Sequence, residues 1–446
     1  MMLEGVMSVM GDTVRYWVAL WTYVVRGSEY QGASLFGGYS EDESLRMGVY
    51  VYSLALALKL WKEPHYRKSS YAADVRDNFC NVAIPGTGVP LSVLAVSKTL
   101  TTLFLCFAYP VACFAAAVAH ARREEKTTVS LAYREQLLAP RDWFSLWRIN
   151  SRLAAWHSLV TRGGEKGDDW GDYAMENKWA FLEKGLKLGV AVSPVLSTPV
   201  RLCVKHKNEE GGLGIYFFKN ALAGGDWIIQ EVMDNADDVA KLLPADAPLS
   251  TFRVMTASNV HRQQEGTAEK EPSVFAMSCV FRAGRAGAAT DHSSILFDVD
   301  IGSGILGRGT TNQQWYQLGK TRGVPWGPPA PVFEHPDKPG SKVTGYQIPD
   351  FKARVLDLAI GAHEKLLPGV PIAGWDVVLS KQHGPCLLEV NLSCNFFRGS
   401  FDEHKYFNFI HQYFLFCQRQ QDKNTRPLET IKSKDGKKKK HDKKQK

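Results

Sequence analysis

Residues 373–392 read AGWDVVLSKQHGPCLLEVNL. Two short apolar runs flank a polar turn carrying Gly384 and Pro385, so the stretch predicts a β-hairpin. Three acceptor side chains interrupt the apolar pattern: Asp376, Glu389 and Asn391. Glu389 and Asn391 are two apart and share a strand face. If the turn is symmetric about Gln382 and His383, antiparallel pairing sets Asp376 opposite Glu389, with Cβ atoms about 5 Å apart. Two carboxylates that close repel and need a cation between them. Oxygen donors without His or Cys suit a hard ion, magnesium or manganese. One carboxylate on a strand more often faces water; three acceptors in an otherwise apolar hairpin fit that account poorly.

The chain has 446 residues, enough for one to three domains and a sizeable core. The formal net charge is +8, yet residues 419–446 alone hold 12 Lys/Arg against 4 Asp/Glu. The rest is therefore neutral and gives no compositional case for nucleic-acid binding. The tail ends GKKKKHDKKQK, a like-charge block expected to be disordered and drawn to anionic membrane lipid. Lys443-Lys444-Gln445-Lys446 also fits the dilysine pattern of proteins retrieved to the endoplasmic reticulum, although so Lys-rich a tail can match it by chance. None of the eight cysteines forms a CxxC pair and most lie in apolar runs, as reduced core residues of an intracellular protein do.

Near the N-terminus WVALWTYVV lacks a basic flank and a small-residue cleavage site, which argues against a signal peptide. Ser40 and Glu43 form a capping box before a predicted helix from about Glu41 to Lys62, whose uncharged part, Met47–Leu58, is too short to cross a bilayer. Residues 99–121 contain no Asp, Glu, Lys or Arg over 23 residues. As a helix they reach about 34 Å, against a hydrocarbon core of about 30 Å, and membranes tolerate Pro110. Lys98 precedes the stretch and Arg122, Arg123, Lys126 and Arg134 follow it, so a single crossing would leave the C-terminal side in the cytosol. A buried helix of a soluble domain is the alternative.

The spacing Asp, twelve residues, Glu-x-Asn resembles the magnesium site of the ATP-grasp superfamily. GWDVVLSKQHGPCLLEVN is similar to its sugar-transfer-associated, alpha-L-glutamate-ligase-like branch, and the resemblance covers about residues 140–418. It implies an α+β ATP-grasp fold: a small subdomain at 171–234 and a large one at 235–418 clamp the nucleotide. A helical lead-in at 122–170 and a helical, membrane-associated region at 1–98 precede them. It further implies Lys178 and Lys205 on phosphate oxygens, and Gly211, Gly212 and Gly214 in a loop folding over them. Gln230 and Glu231 would stand beside adenine, and Arg253 and Arg282 would face the phosphates or a substrate carboxylate. Asp376, Glu389 and Asn391 would hold the metal.

Glycines let backbone N–H groups approach phosphate, lysines supply point charge, and arginine forks suit oxyanions. EGGLG by itself is neither a Walker A nor a dinucleotide motif, and Glu209 and Glu210 are awkward neighbours for a triphosphate. Asp298 and Asp300 read as structural acids. His335 reads as an acid/base or a turn cap, and Asn395 and Arg398 lie within reach of the metal ligands. The activity implied is a magnesium–ATP-dependent ligase joining a carboxylate to an amine or thiol through an acylphosphate. Alternatives are a kinase of the same fold acting on a hydroxyl, and a non-catalytic nucleotide-binding protein at a membrane.

Overall fold

The computed structural model describes residues 2–80, 92, 95–122, 127–162, 169–208, 213–291, 294–311, 331–394, 396 and 399–425. Gly211, Gly212, Glu209, Glu210, Asn395, Arg398 and the tail beyond residue 425 lie outside them.

The N-terminal third is helical: α1 (Met2–Val24), α2 (Glu41–Lys59), α3 (Tyr71–Cys80), α4 (Lys98–Ala121), α5 (Val129–Leu138) and α6 (Trp143–Thr161). The capping box forms at Ser40 and Glu43, and α2 ends three residues short of the predicted Lys62. From Arg46 to Leu58 every residue of α2 is buried, as its continuous apolar run requires. α4 is long and apolar enough to cross a membrane, by length and composition alone.

The mixed α/β part follows. α7 (Lys178–Lys187) precedes a two-stranded antiparallel hairpin, β1 (Arg201–Lys205) and β2 (Ile215–Lys219). A six-stranded antiparallel sheet then forms from β3 (Thr251–Ser258), β4 (Val274–Ala283), β5 (Ile295–Val299), β6 (Leu306–Thr311), β7 (Ile372–Ser380) and β8 (Gly384–Asn391). Its order is β6-β5-β4-β3-β7-β8. Before β7 come a π turn at Lys352–Leu356 and α8 (Asp357–Leu366).

Alternating strand residues serve opposite faces. Phe252, Val254, Phe281, Trp375 and Val377 point into a core shared with α7 and α8. On the other face Met255, Phe275 and Met277 join a second core, built mainly from α1, α2, α6 and the C-terminal α9 (Glu403–Thr425). The aromatic-rich sequence of α9 suits a helix that packs on the sheet, and it does so on one side only. It lies between sheet and helices: Phe409 meets Phe275, Tyr413 donates to Ser258 O, and Phe414 packs on Tyr30 and Trp156. The helical region and the sheet therefore share one interior.

Candidate functional site

β7 and β8 pair as the sequence requires, with Asp376 opposite Glu389. The route differs from a symmetric two-residue centre. Ser380 pairs with Gly384, so the turn centres on Gln382, and a bulge between Asp376 and Val377 takes up the extra residue, Leu388. The bulge keeps Glu389 facing Asp376.

Asp376 is buried, and the cations that make this tolerable come from neighbouring strands. Arg253, its partner on β3, grips both carboxylate oxygens, with Nη2 2.9 Å from Oδ2. Arg282 on β4 reaches the same Oδ2 at 3.2 Å and binds Asp291 at 3.1 Å. Burial alone would raise the Asp376 pKa; Arg253 and then Arg282 outweigh it and hold the carboxyl below its ordinary range. Asp291 moves the other way, because its burial outweighs Arg282. Lys178 opens α7, whose N-cap Asn177 accepts from the N–H groups of Trp179 and Ala180. Its ammonium lies 2.7 Å from Glu389, and Asn391 Nδ2 lies 3.4 Å from the other Glu389 oxygen. Gly374, opposite Asn391, leaves room: a Cβ there would lie 2.6 Å from Cys394 Cβ and 3.3 Å from Arg253 Cδ.

Six sequence-predicted residues thus meet on one sheet face: Lys178, Arg253, Arg282, Asp376, Glu389 and Asn391. Further along that face Val378, Cys386 and Leu388 form an apolar patch with Met233 and Leu249. The segment carrying Gln230 and Glu231 runs beside it. Gln230 Nε2 donates to Ser193 Oγ at 2.7 Å, and Glu231 meets His383 in the hairpin turn at 3.1 Å. Lys205 stands apart, exposed at the end of β1, with no ion pair among the described residues. Gly214, with φ +62°, closes the same hairpin, its carbonyl accepting from His206 N.

The donors fit a hard cation by chemistry: two carboxylates and an amide, with Glu389 and Asn391 partly open to solvent. Among the described residues no three His, Cys, Asp or Glu cluster as a metal centre, so any metal here would rest on this mixed set. Both Asp376 oxygens already bind guanidinium groups, which leaves Glu389 and Asn391 as the more accessible donors.

Sequence reasoning missed the support behind this face. Glu176 is partly buried; it accepts from Leu392 N at 2.8 Å, just past Asn391, and from Arg67 at 3.2 Å. Burial raises its pKa against the pull of Arg67. Arg67 also grips Asp74 in α3. Glu176 adjoins Asn177-Lys178, a local hint; nothing in sequence ties Arg67 to a hairpin some three hundred residues away. His335 acts as a turn cap: Nδ1 accepts from Asp337 N and Nε2 bonds Gly284 O. Asp298 and Asp300 are structural, binding Ser400 and Ser303.

This mixed α/β part, with its hairpin and its cluster of charged side chains, carries a match to the ATP-grasp class. Residues 224–397 match the family model described as sugar-transfer associated ATP-grasp, the branch that the hairpin wording resembles. The matched segment is less than half of the chain. It contains Gln230, Glu231, both arginines and the three metal-ligand candidates, but not Lys178, Lys205 or the glycine loop. No curated protein matches the chain.

Proposed function

We propose that this chain is a magnesium–ATP-dependent ligase that activates a small-molecule carboxylate. The observation that carries the reading is the convergence of Lys178, Arg253 and Arg282 on Asp376 and Glu389, beside an apolar patch. Charge and apolar surface side by side suit phosphates and a base. Met233, Val378 and Leu388 would floor the base, with Gln230 and Glu231 at its edge. Glu389 and Asn391, with Asp376 behind them, would hold the metal, which when bound neutralises phosphate oxygens. Lys178 would turn from Glu389 to a phosphate once the metal takes that carboxylate. Arg282, fixed by Asp291 and Asp376, would face the developing charge without reorganising. Lys205, Gly211, Gly212 and Gly214 would close the clamp from the β1–β2 side.

In this reading a substrate carboxylate oxygen attacks the γ-phosphorus and the bond to ADP breaks. An amine or thiol then attacks the acyl carbon and phosphate leaves. The test is ATP turnover against pooled amino acids, peptides and sugar acids, following ADP and free phosphate together. Both should appear in equal amounts, and only with an acceptor. ADP with phosphate retained on a hydroxyl acceptor would make the protein a kinase, and no turnover with any pool would favour a binding protein. The expected setting is a membrane, attached through α4, with the ATP-grasp region on the cytosolic side.

A further inference from the structure

The helix α1 is apolar on both faces: Tyr16, Ala19, Leu20 and Tyr23 are buried on its inner side. Its inner face buries Asp12 completely, held by Tyr39, by Arg134 at 3.2 Å and by Arg15. Its outer face presents Met7, Met10, Val14, Val18 and Trp21 to solvent, each more than half exposed. These positions are spaced three and four apart, one continuous stripe. A surface helix of a soluble protein keeps its outer face polar, and exposed apolar stripes of this kind mark interaction surfaces.

α4 carries a matching stripe in Leu103, Phe107, Val111 and Phe114, all exposed. Its opposite face is committed to the protein: Leu105, Cys113, Ala116 and Ala117 are buried, and Tyr109 bonds Gln136 O and Tyr50.

The two helices are stitched together at Pro110. Proline has no N–H, so Cys106 O loses its ordinary partner four residues on. Around Phe104–Ala108 the helix adopts a π turn, in which Tyr109 N bonds Phe104 O; Leu105 O then faces Pro110 as well. α1 supplies both missing donors. Tyr16 OH donates to Leu105 O at 2.9 Å and Trp17 Nε1 to Cys106 O at 2.7 Å. Wherever α4 sits, α1 sits beside it. For α4 to cross a bilayer alone it would shed these bonds and its contacts with α5, beside the buried Asp12–Arg134 pair.

We infer that the outer stripes of α1 and α4 together form a docking face for an anionic lipid bilayer, lying in the interface plane and not crossing it. Charge fixes the partner. Exposed cations stand at the helix ends, Arg26 after α1 and Lys98 and Arg122 around α4, while residues 99–121 have no charge at all. An apolar middle, cations at three of the four helix ends (Glu4 stands in the first turn of α1) and the exposed Trp17 and Trp21 fit helices lying about 5–10 Å into headgroups. Past α9, which packs on α2 beside α1, residues 426–446 hold 10 Lys/Arg and add to the same attraction.

The test is flotation of the full chain with phosphatidylcholine vesicles, with and without phosphatidylserine. Met10→Glu/Val14→Glu on α1 and Phe107→Glu/Val111→Glu on α4 should each lower the bound fraction at least about tenfold, with phosphatidylserine strengthening the wild type. Circular dichroism should not change, because all four residues are exposed. If the glutamates unfold the protein, Met10→Ala/Val14→Ala must still lower binding. Loss through the α4 pair alone would mean a crossing helix and overturn the inference. So would unchanged binding in both pairs, or an α1 pair that converts a dimer to a monomer while vesicles bind neither form.

Discussion

Lys178 and Asp376 are both paired carriers of charge, yet they differ in what pairing costs. Lys178 is two-thirds exposed on its side chain, and its contact with Glu389 is a surface pair. Such pairs contribute about 0–1 kcal/mol, so Lys178→Met should leave thermal stability nearly unchanged. If the lysine turns to a phosphate, the same change should weaken ATP binding about tenfold, read by calorimetry. Asp376 is closed in by two arginines; removing its charge takes from the buried Arg253 the carboxylate that grips it and leaves Arg282 to Asp291. Asp376→Asn should therefore cost about 3 kcal/mol of stability as well as activity, read by denaturant unfolding. The carboxylates themselves were legible from the sequence, because polar residues in an apolar hairpin stand out. Their counter-ions were legible only through resemblance, since Arg253 and Arg282 on ordinary strands carry no signal of what they face.

At the scale of elements, β7 is held from behind by a buried polar chain. Trp375 Nε1 donates to Thr256 Oγ1, Thr256 meets His363 Nδ1 at 2.6 Å, and His363 Nε2 meets Val370 O. Burial pushes the His363 pKa down to about 4. The folded state therefore binds fewer protons than the unfolded chain between pH 6.5 and 4. The stability supplied by the neutral ring is full above the ordinary pKa and is lost as pH falls towards 4, by about 3 kcal/mol. His65 is likewise lowered to about 4, by burial against the opposing pull of Asp74. Urea unfolding at pH 7 and pH 4.5 should show this loss, and His363→Gln should shrink it. The hairpin register was readable from residue numbers, but the bulge at Leu388 was not, because one extra apolar residue in an apolar strand leaves no mark on the pattern. Pro110 was read as a helix disturbance that membranes tolerate. Its two stranded carbonyls, and the Tyr16 and Trp17 that satisfy them, needed the packing of two helices far apart in the chain.

For the whole molecule, the helical region belongs to the same packed body as the candidate site. Arg67 joins Asp74 in α3 to Glu176, and Glu176 holds the backbone directly after Asn391. Arg67→Met leaves the buried Asp74 and the partly buried Glu176 without their cation, at a cost of about 3 kcal/mol. It should lower the melting temperature and, at permissive temperature, raise the metal concentration needed for turnover. A change in stability alone would mean that the link is scaffolding only. Division into an N-terminal region, a small subdomain and a large one follows the chain, while the cores cut across it. Tyr30 packs on Phe414, and Met255 and Phe275 share an interior with α2 and α9. Amphipathic patterns indicate which face of an element is buried, not which distant element covers it, so this shared interior was beyond sequence reading.

In the proposed function the face around Glu389 holds metal and ATP phosphates. The most direct measurement is ADP formation by the full-length chain across a magnesium titration, with wild type and Glu389→Gln side by side and circular dichroism on both. The account predicts magnesium-dependent turnover in the wild type. In the variant, where a ligand charge is lost and shape is kept, it predicts a fall of at least about a hundredfold with an unchanged spectrum. Turnover by Glu389→Gln at the wild-type rate and magnesium dependence would contradict it.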